Sequence, residues 1–125
     1  SIAKYVTQGK LYVFDNDKKL IERCAETMDN IRLTNVQIAT YEDIDQVLED
    51  ITLDGTLINS PYRIANDTEQ LITGTHGRLV TNGWLALLED CYTNADLRLI
   101  SERVGFKHVS TRRLLEDMCL GQFRK

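Results

Sequence analysis

The chain is short of the residues that build joints, phosphate-binding loops and metal sites. One proline, Pro61, and seven glycines stand among 125 residues. So little turn chemistry leaves no flexible linker, and a single domain with one core is expected over residues 1–125. No apolar run approaches the roughly 20 residues that span a bilayer, and the opening SIAKYVTQGK lacks the apolar centre of a secretory signal. Neither G-x-G-x-x-G nor G-x-x-x-x-G-K-[ST] occurs, which excludes a phosphate-cradling loop of either kind. No serine sits in a G-x-S-x-G elbow, so there is no hydrolase signal. His76 and His108 are the only histidines. Neither has a Cys or Asp partner at ligand spacing, and no metal is expected. Cys24, Cys91 and Cys119 are odd in number, widely spaced and set among apolar residues. They read as buried, reduced thiols of a cytoplasmic protein. A net charge of −4 argues against binding nucleic acid through bulk charge.

What is present alternates. KLYVF (10–14) is a short strand rich in aromatic and branched side chains. In the next segment Leu20, Ile21, Cys24 and Ala25 recur on one helical face, with Asp17 at the N-cap position. NVQIAT (35–40) is a second strand. YEDIDQVLEDI places Ile44, Val47, Leu48 and Ile51 at helical spacing. GTLIN (55–59) and GRLVTN (77–82) read as strands, GWLALLEDCY and DLRLISERVG as helix with a break near Thr93-Asn94, and FKHVS as a further strand. TRRLLEDMCL closes as a helix with Gly121 near its C-cap. The expected fold is a three-layer α/β sandwich, Rossmann-like or flavodoxin-like, with a mostly parallel sheet of about five strands.

In such sheets ligands bind beyond the carboxyl ends of the strands. The residues to inspect are therefore Asp15-Asn16-Asp17, Thr40 to Asp43, Asn59 to Tyr62, Thr81-Asn82 and Lys107-His108. A carboxylate ending a strand accepts hydrogen bonds from ribose hydroxyls. The same residue type also caps a helix, worth on the order of 1 kcal/mol, which is the competing use of Asp15 and Asp17. Asn59 to Tyr62 reads as the lip of a strand-end crevice, where an amide and a phenol ring suit a polar, planar or ribose-bearing ligand. A tight turn in which Asn59 satisfies the backbone and Tyr62 packs on the next helix is the alternative.

GKLYVFDND, the helix after it and LTNVQIATYEDI resemble the second strand, following helix and third strand of class I S-adenosylmethionine-dependent methyltransferases. DGTLINSPY is similar to that family's fourth strand, which ends in Asn-Pro-Pro-Tyr in amino-methylating members. Asn59, Pro61 and Tyr62 match, and Ser60 departs. HGRLVTNG resembles the fifth strand and LISERVGFKHV the late helix and strand. The resemblance implies S-adenosylmethionine as cofactor, held by Asp15 with Asp17, Glu42 and Asp43 nearby, and catalytic roles for Asn59, Pro61 and Tyr62. The family's first strand and glycine-rich loop have no counterpart, and SIAKYVTQGK looks like the tail of the helix that follows them. A fragment or a catalytically degenerate relative is the corresponding expectation.

Two other readings use the same residues. The chain resembles a response-regulator receiver, with Asp15 and Asp17 as the acid pair, Thr81 the hydroxyl and Lys107 the lysine. Asn59 stands at the phospho-acceptor place, so this would be a pseudo-receiver working through a protein partner or self-association. In a receiver KLYVF neighbours both the second and the third strand. Lastly, residues 95–118 resemble a helix-turn-helix. From Arg98 onward seven Arg or Lys face three Asp or Glu, so a basic C-terminal helix could contact nucleic acid.

Overall fold

The runs LYVFD and VQIAT form strands β1 (Leu11–Asp15) and β2 (Val36–Thr40) in the computed structural model, as aromatic and branched side chains favour. Residues 9–30, 35–64 and 67–125 are described. They belong to two units, Ser1–Glu49 and Asp50–Lys125, each treated by itself. The reading of SIAKYVTQ as the tail of a helix lies outside the described residues. In the first unit β1 and β2 run parallel, from Leu11 beside Val36 to Asp15 beside Thr40, so their carboxyl ends are adjacent. Helix α1 (Lys18–Asn30) joins them, with Ile21 and Cys24 half-buried and Leu20 exposed. The helix expected over 41–51 is cut short. A 3-10 turn covers Tyr41–Asp43 and α2 is one turn, Ile44–Val47. Asp50 at φ 59 is left-handed, which a continuing helix cannot contain.

The second unit holds β3 (Leu53–Asn59), α3 (Pro61–Ile64), α4 (Thr68–Arg78), β4 (Leu79–Asp90), α5 (Cys91–Val104), β5 (Lys107–Leu115) and β6 (Met118–Arg124). Its sheet has the order β3-β4-β6-β5. β3 and β4 are parallel, and β6 is antiparallel to both of its neighbours. The sheet is therefore mixed, where a mostly parallel one was expected. α5 packs on β4, β5, β6 and α4. Its Leu97 joins Ile72 of α4, Leu85 and Leu87 of β4 and Phe123 of β6 in a core at most 1% exposed. The other sheet face is more open, with Leu57 50% and Trp84 43% exposed.

Several expectations are corrected. GWLALLED is strand, with Leu85 and Leu87 inward and Trp84 outward in a period of two. The helix break expected at Thr93-Asn94 falls earlier, at Asp90, which caps α5 by accepting from Tyr92 N at 2.7 Å. TRRLLEDMCL is not a helix. It completes β5, turns at Glu116-Asp117 and starts β6, and Gly121 sits mid-strand against Phe123 and Asn94. The helix-turn-helix and its basic helix are thereby removed, because Arg112 and Arg113 lie on a strand. The receiver order is also absent among the described residues, since β1 pairs with β2 and not with β3. Cys91 and Cys119 form a disulfide, which corrects the reading of reduced thiols, and Cys24 is free. Helix α4 was not anticipated. Asp67 caps it by accepting from Gln70 N at 3.0 Å. Among the described residues no helix is long and apolar enough to cross a membrane.

Two measurements probe this packing. Gly55 lies opposite Trp84, and a Cβ at Gly55 would fall inside the indole ring. Gly55→Ala should cost about 1–3 kcal/mol and change the emission of the only tryptophan, with the cost shrinking in a Trp84→Ala background. An unchanged spectrum would contradict the contact. The Cys91–Cys119 bond spans a separation of 28 residues, so loop-closure entropy predicts that reducing it costs about 3–4 kcal/mol. Equal melting temperatures for oxidised and reduced Cys24→Ser protein would show that the bond is absent or idle.

Candidate functional site

At the carboxyl edge of the first unit, Asp15 accepts from Asp17 N through Oδ1 at 2.9 Å, a local turn that leaves Oδ2 without a partner. Asp17 is spent on α1, its Oδ1 accepting from Lys19 N at 3.0 Å and Leu20 N at 3.2 Å. Capping, not ligand contact, is therefore the observed use of Asp17. Asp43 accepts from Thr40 Oγ1 at 2.8 Å. Glu42 lies 3.9 Å from Lys18, both well exposed, a pair worth little in water. Asn16, Lys18, Thr40 and Glu42 line a small cleft of about 70 Å³ here.

The second unit's edge is larger. Asn59 ends β3 beside Leu88 of β4, and Ser60 N donates to Leu88 O at 2.7 Å. Ser60 then turns at φ 54. A proline could adopt neither that angle nor that hydrogen bond, since its φ is held near −65° and it has no N–H. The departure from Asn-Pro-Pro-Tyr at residue 60 is thus a different backbone and not a silent substitution. Pro61 opens α3, where a missing N–H costs nothing, and is fully buried. Asn59 is exposed and accepts from Ser60 Oγ at 3.2 Å, leaving its amide N–H groups unengaged. Tyr62 is 43% exposed. The tight-turn alternative, with Asn59 tied to the backbone and Tyr62 packed away, is not what the structure shows. Asp15 belongs to the first unit and Asn59, Pro61 and Tyr62 to the second.

β6 brings further residues to this edge. Its reversed direction sets Met118 beside Asp90 and Leu115, and Cys91 N donates to Asp117 O at 2.8 Å, fixing the β5–β6 turn against the start of α5. A cavity of about 610 Å³ results, with Ser60, Arg63, Glu89, Asp90, Glu116 and Asp117 as its polar wall and Leu115 and Met118 as its apolar one. Glu89 Oε1 accepts from Asp90 N at 3.0 Å, while Glu89 Oε2 is buried and has no hydrogen-bond partner. Thr81-Asn82 and Lys107-His108, expected at strand ends, open β4 and β5 instead. The acids were missed because both segments were read as helix. Their signal stood in the sequence: Leu-Leu-Glu-Asp occurs at 87–90 and again at 114–117, each copy followed within two residues by a bonded cysteine.

With these strand ends on the page, the comparisons with solved structures follow. The chain is similar to a SAM-dependent methyltransferase from Aquifex aeolicus, at 17% identity over 98% of this chain and 73% of that one, with a TM-score of 0.82. The fold is that of S-adenosylmethionine-dependent methyltransferases. An N-methyltransferase from Bradyrhizobium japonicum in complex with S-adenosyl-L-homocysteine is similar at 17% identity, over 98% and 70% of the two chains, with a TM-score of 0.74. An rRNA methylase from Streptococcus thermophilus is similar at 18% identity, over 93% and 73%, with a TM-score of 0.68. No protein-family model and no curated protein sequence matches the chain.

Within this methyltransferase-like fold Tyr62 has a perturbed phenol. Burial, then the charges of Asp96 and Glu89, push its pKa above the ordinary value of 10.0. The phenol keeps its proton to higher pH, and its ionisation works against the folded state only as pH rises through the unfolded value. Titration of the Tyr62 ring signals by NMR should therefore give a midpoint above that of Tyr92, and Glu89→Gln or Asp96→Asn should lower it. A midpoint unmoved by both substitutions would remove these carboxylates from the phenol's surroundings.

Proposed function

We propose that the chain is a methyltransferase-like domain that binds S-adenosylmethionine and carries an acceptor site at Asn59 to Tyr62. The observation that carries the reading is Asp15. It stands at the carboxyl end of β1 in this fold, with one carboxylate oxygen already turned into the local chain and the other without a partner. A ribose diol needs such an acceptor, so the residue present fits the cofactor. When bound, S-adenosylmethionine supplies a methyl group made electrophilic by its sulfonium sulfur.

Every other role falls to the chain. Asp15 Oδ2 accepts from the ribose hydroxyls. Thr40 is adjacent across the β1–β2 pair and holds Asp43 in place. Asn59, with its amide oxygen shared only with Ser60 Oγ, accepts from an acceptor N–H and orients the nitrogen lone pair. Tyr62 offers a ring face and a protonated hydroxyl, and Pro61 fixes where the chain leaves β3. The residues that resemble the family do not include its glycine-rich loop. Affinity for S-adenosyl-L-homocysteine is accordingly expected to be weak, on the order of millimolar.

Saturation-transfer NMR, which reads weak binding, tests this. S-adenosyl-L-homocysteine should show transfer to its ribose protons, and Asp15→Ala should weaken binding about tenfold, the size expected for lost hydrogen bonds to a charged acceptor. Asn59→Ala and Tyr62→Ala should leave cofactor binding unchanged. Identical transfer in the parent and the Asp15→Ala protein would remove Asp15 from the reading.

A further inference from the structure

The cavity at the second unit's edge has a charge imbalance of its own. Four carboxylates, Glu89, Asp90, Glu116 and Asp117, face one guanidinium, Arg63. Arg63 is in no ion pair. The side chains of Glu116 and Asp117 are exposed and make no hydrogen bond. Asp90 is held as the α5 cap. The distinguishing group is Glu89. One oxygen satisfies Asp90 N, whereas Oε2 is removed from water and receives no donor. A buried carboxylate oxygen left without a donor is unfavourable, and the strong remedy is an N⁺–H group. The opposite wall is aliphatic, from Leu115 and Met118.

Charge, an orphaned buried acceptor and an apolar wall together specify one ligand class. We infer that this cavity binds an aliphatic ammonium ion, with Glu89 Oε2 accepting from the charged nitrogen, Glu116 and Asp117 adding field, and Leu115 and Met118 packing on the methylenes. The inference deepens the proposed function by giving its acceptor as an alkylamine, and it rests on that reading only for the word acceptor. Anionic ligands, polynucleotides among them, are disfavoured by the same imbalance.

Three isosteric four-carbon probes separate charge from shape: 1,4-diaminobutane, 1,4-butanediol and succinate. The readout is the methyl resonance of Met118. The other methionine, Met28, belongs to the first unit and serves as reference. The diamine should shift Met118 saturably, while the diol and the diacid should not. Glu89→Gln keeps an acceptor for Asp90 N and should weaken the diamine about tenfold, as expected for loss of a charge-assisted hydrogen bond. The Glu22→Gln/Glu26→Gln protein, altered on α1, should bind the diamine as the parent does, which excludes attraction by net charge alone. A diol or diacid that shifts Met118 as strongly would overturn the inference, and so would equal weakening by the α1 variant. The titrations use the full chain without cofactor. A chain that takes the amine but not S-adenosyl-L-homocysteine refutes only the cofactor reading, and the reverse refutes only this one.

Discussion

The architecture of the second unit depends on β6 running against both of its neighbours. A parallel strand in that place would send its preceding loop to the far edge of the sheet. Because β6 is antiparallel to β4 and β5, the turn that feeds it stands at the edge where β3 and β4 end. Cys119 and Phe123 fill the core at 7% and 1% exposure, and Gly121 lets the strand lie close to Asn94. The strand's direction is thus secured by what its inward face buries, which is the larger energy. The placement of Glu116 and Asp117 follows as a consequence.

That explains which part of the fold could be read from the sequence. β1, α1, β2, β3 and α5 announce themselves, each having only one period that puts its apolar residues on one side. The two Leu-Leu-Glu-Asp segments do not. Leu85, Leu87 and Leu88 satisfy a helical face as well as a strand, and so do Leu114, Leu115 and Met118, because a short apolar run fits both periods. Only tertiary pairing decides. Leu85 to Asp90 matches Phe123 to Met118 residue for residue along the antiparallel ladder, a non-local match that local spacing does not contain. The reading of helices there also hid β6, and with it every acid of the cavity.

The candidate site divides along the same line. Asp15, Asn59, Pro61 and Tyr62 were legible because each follows a run that could only be a strand, and strand ends are where such sheets bind ligands. Asp17, Glu42 and Asp43 share that position in sequence but are engaged locally, with a helix N-terminus, Lys18 and Thr40 respectively. Position after a strand is therefore necessary and insufficient. A short polar side chain there first meets the unsatisfied backbone of the next turn, and only what this leaves over is available to a ligand.

The cavity acids illustrate the opposite case. Four carboxylates at one edge repel one another, and nothing in the sheet requires them. They are nevertheless held close by unrelated constraints: Asp90 by the N–H of Tyr92, Asp117 through its carbonyl on Cys91 N, and the two segments by the Cys91–Cys119 bond one residue beyond Asp90 and Met118. The backbone and the disulfide fix the spacing, so the side chains cannot relax apart by letting the turn drift. A polar arrangement that opposes local stability while the fold actively maintains it is characteristic of a binding surface, where electrostatic preorganisation is retained at a cost in folding energy. Glu89 is the sharpest instance. Its backbone is locked in the β4–β6 ladder opposite Cys119, and Oε1 is tied to Asp90 N. Oε2 is therefore left facing a space that only an incoming donor can satisfy.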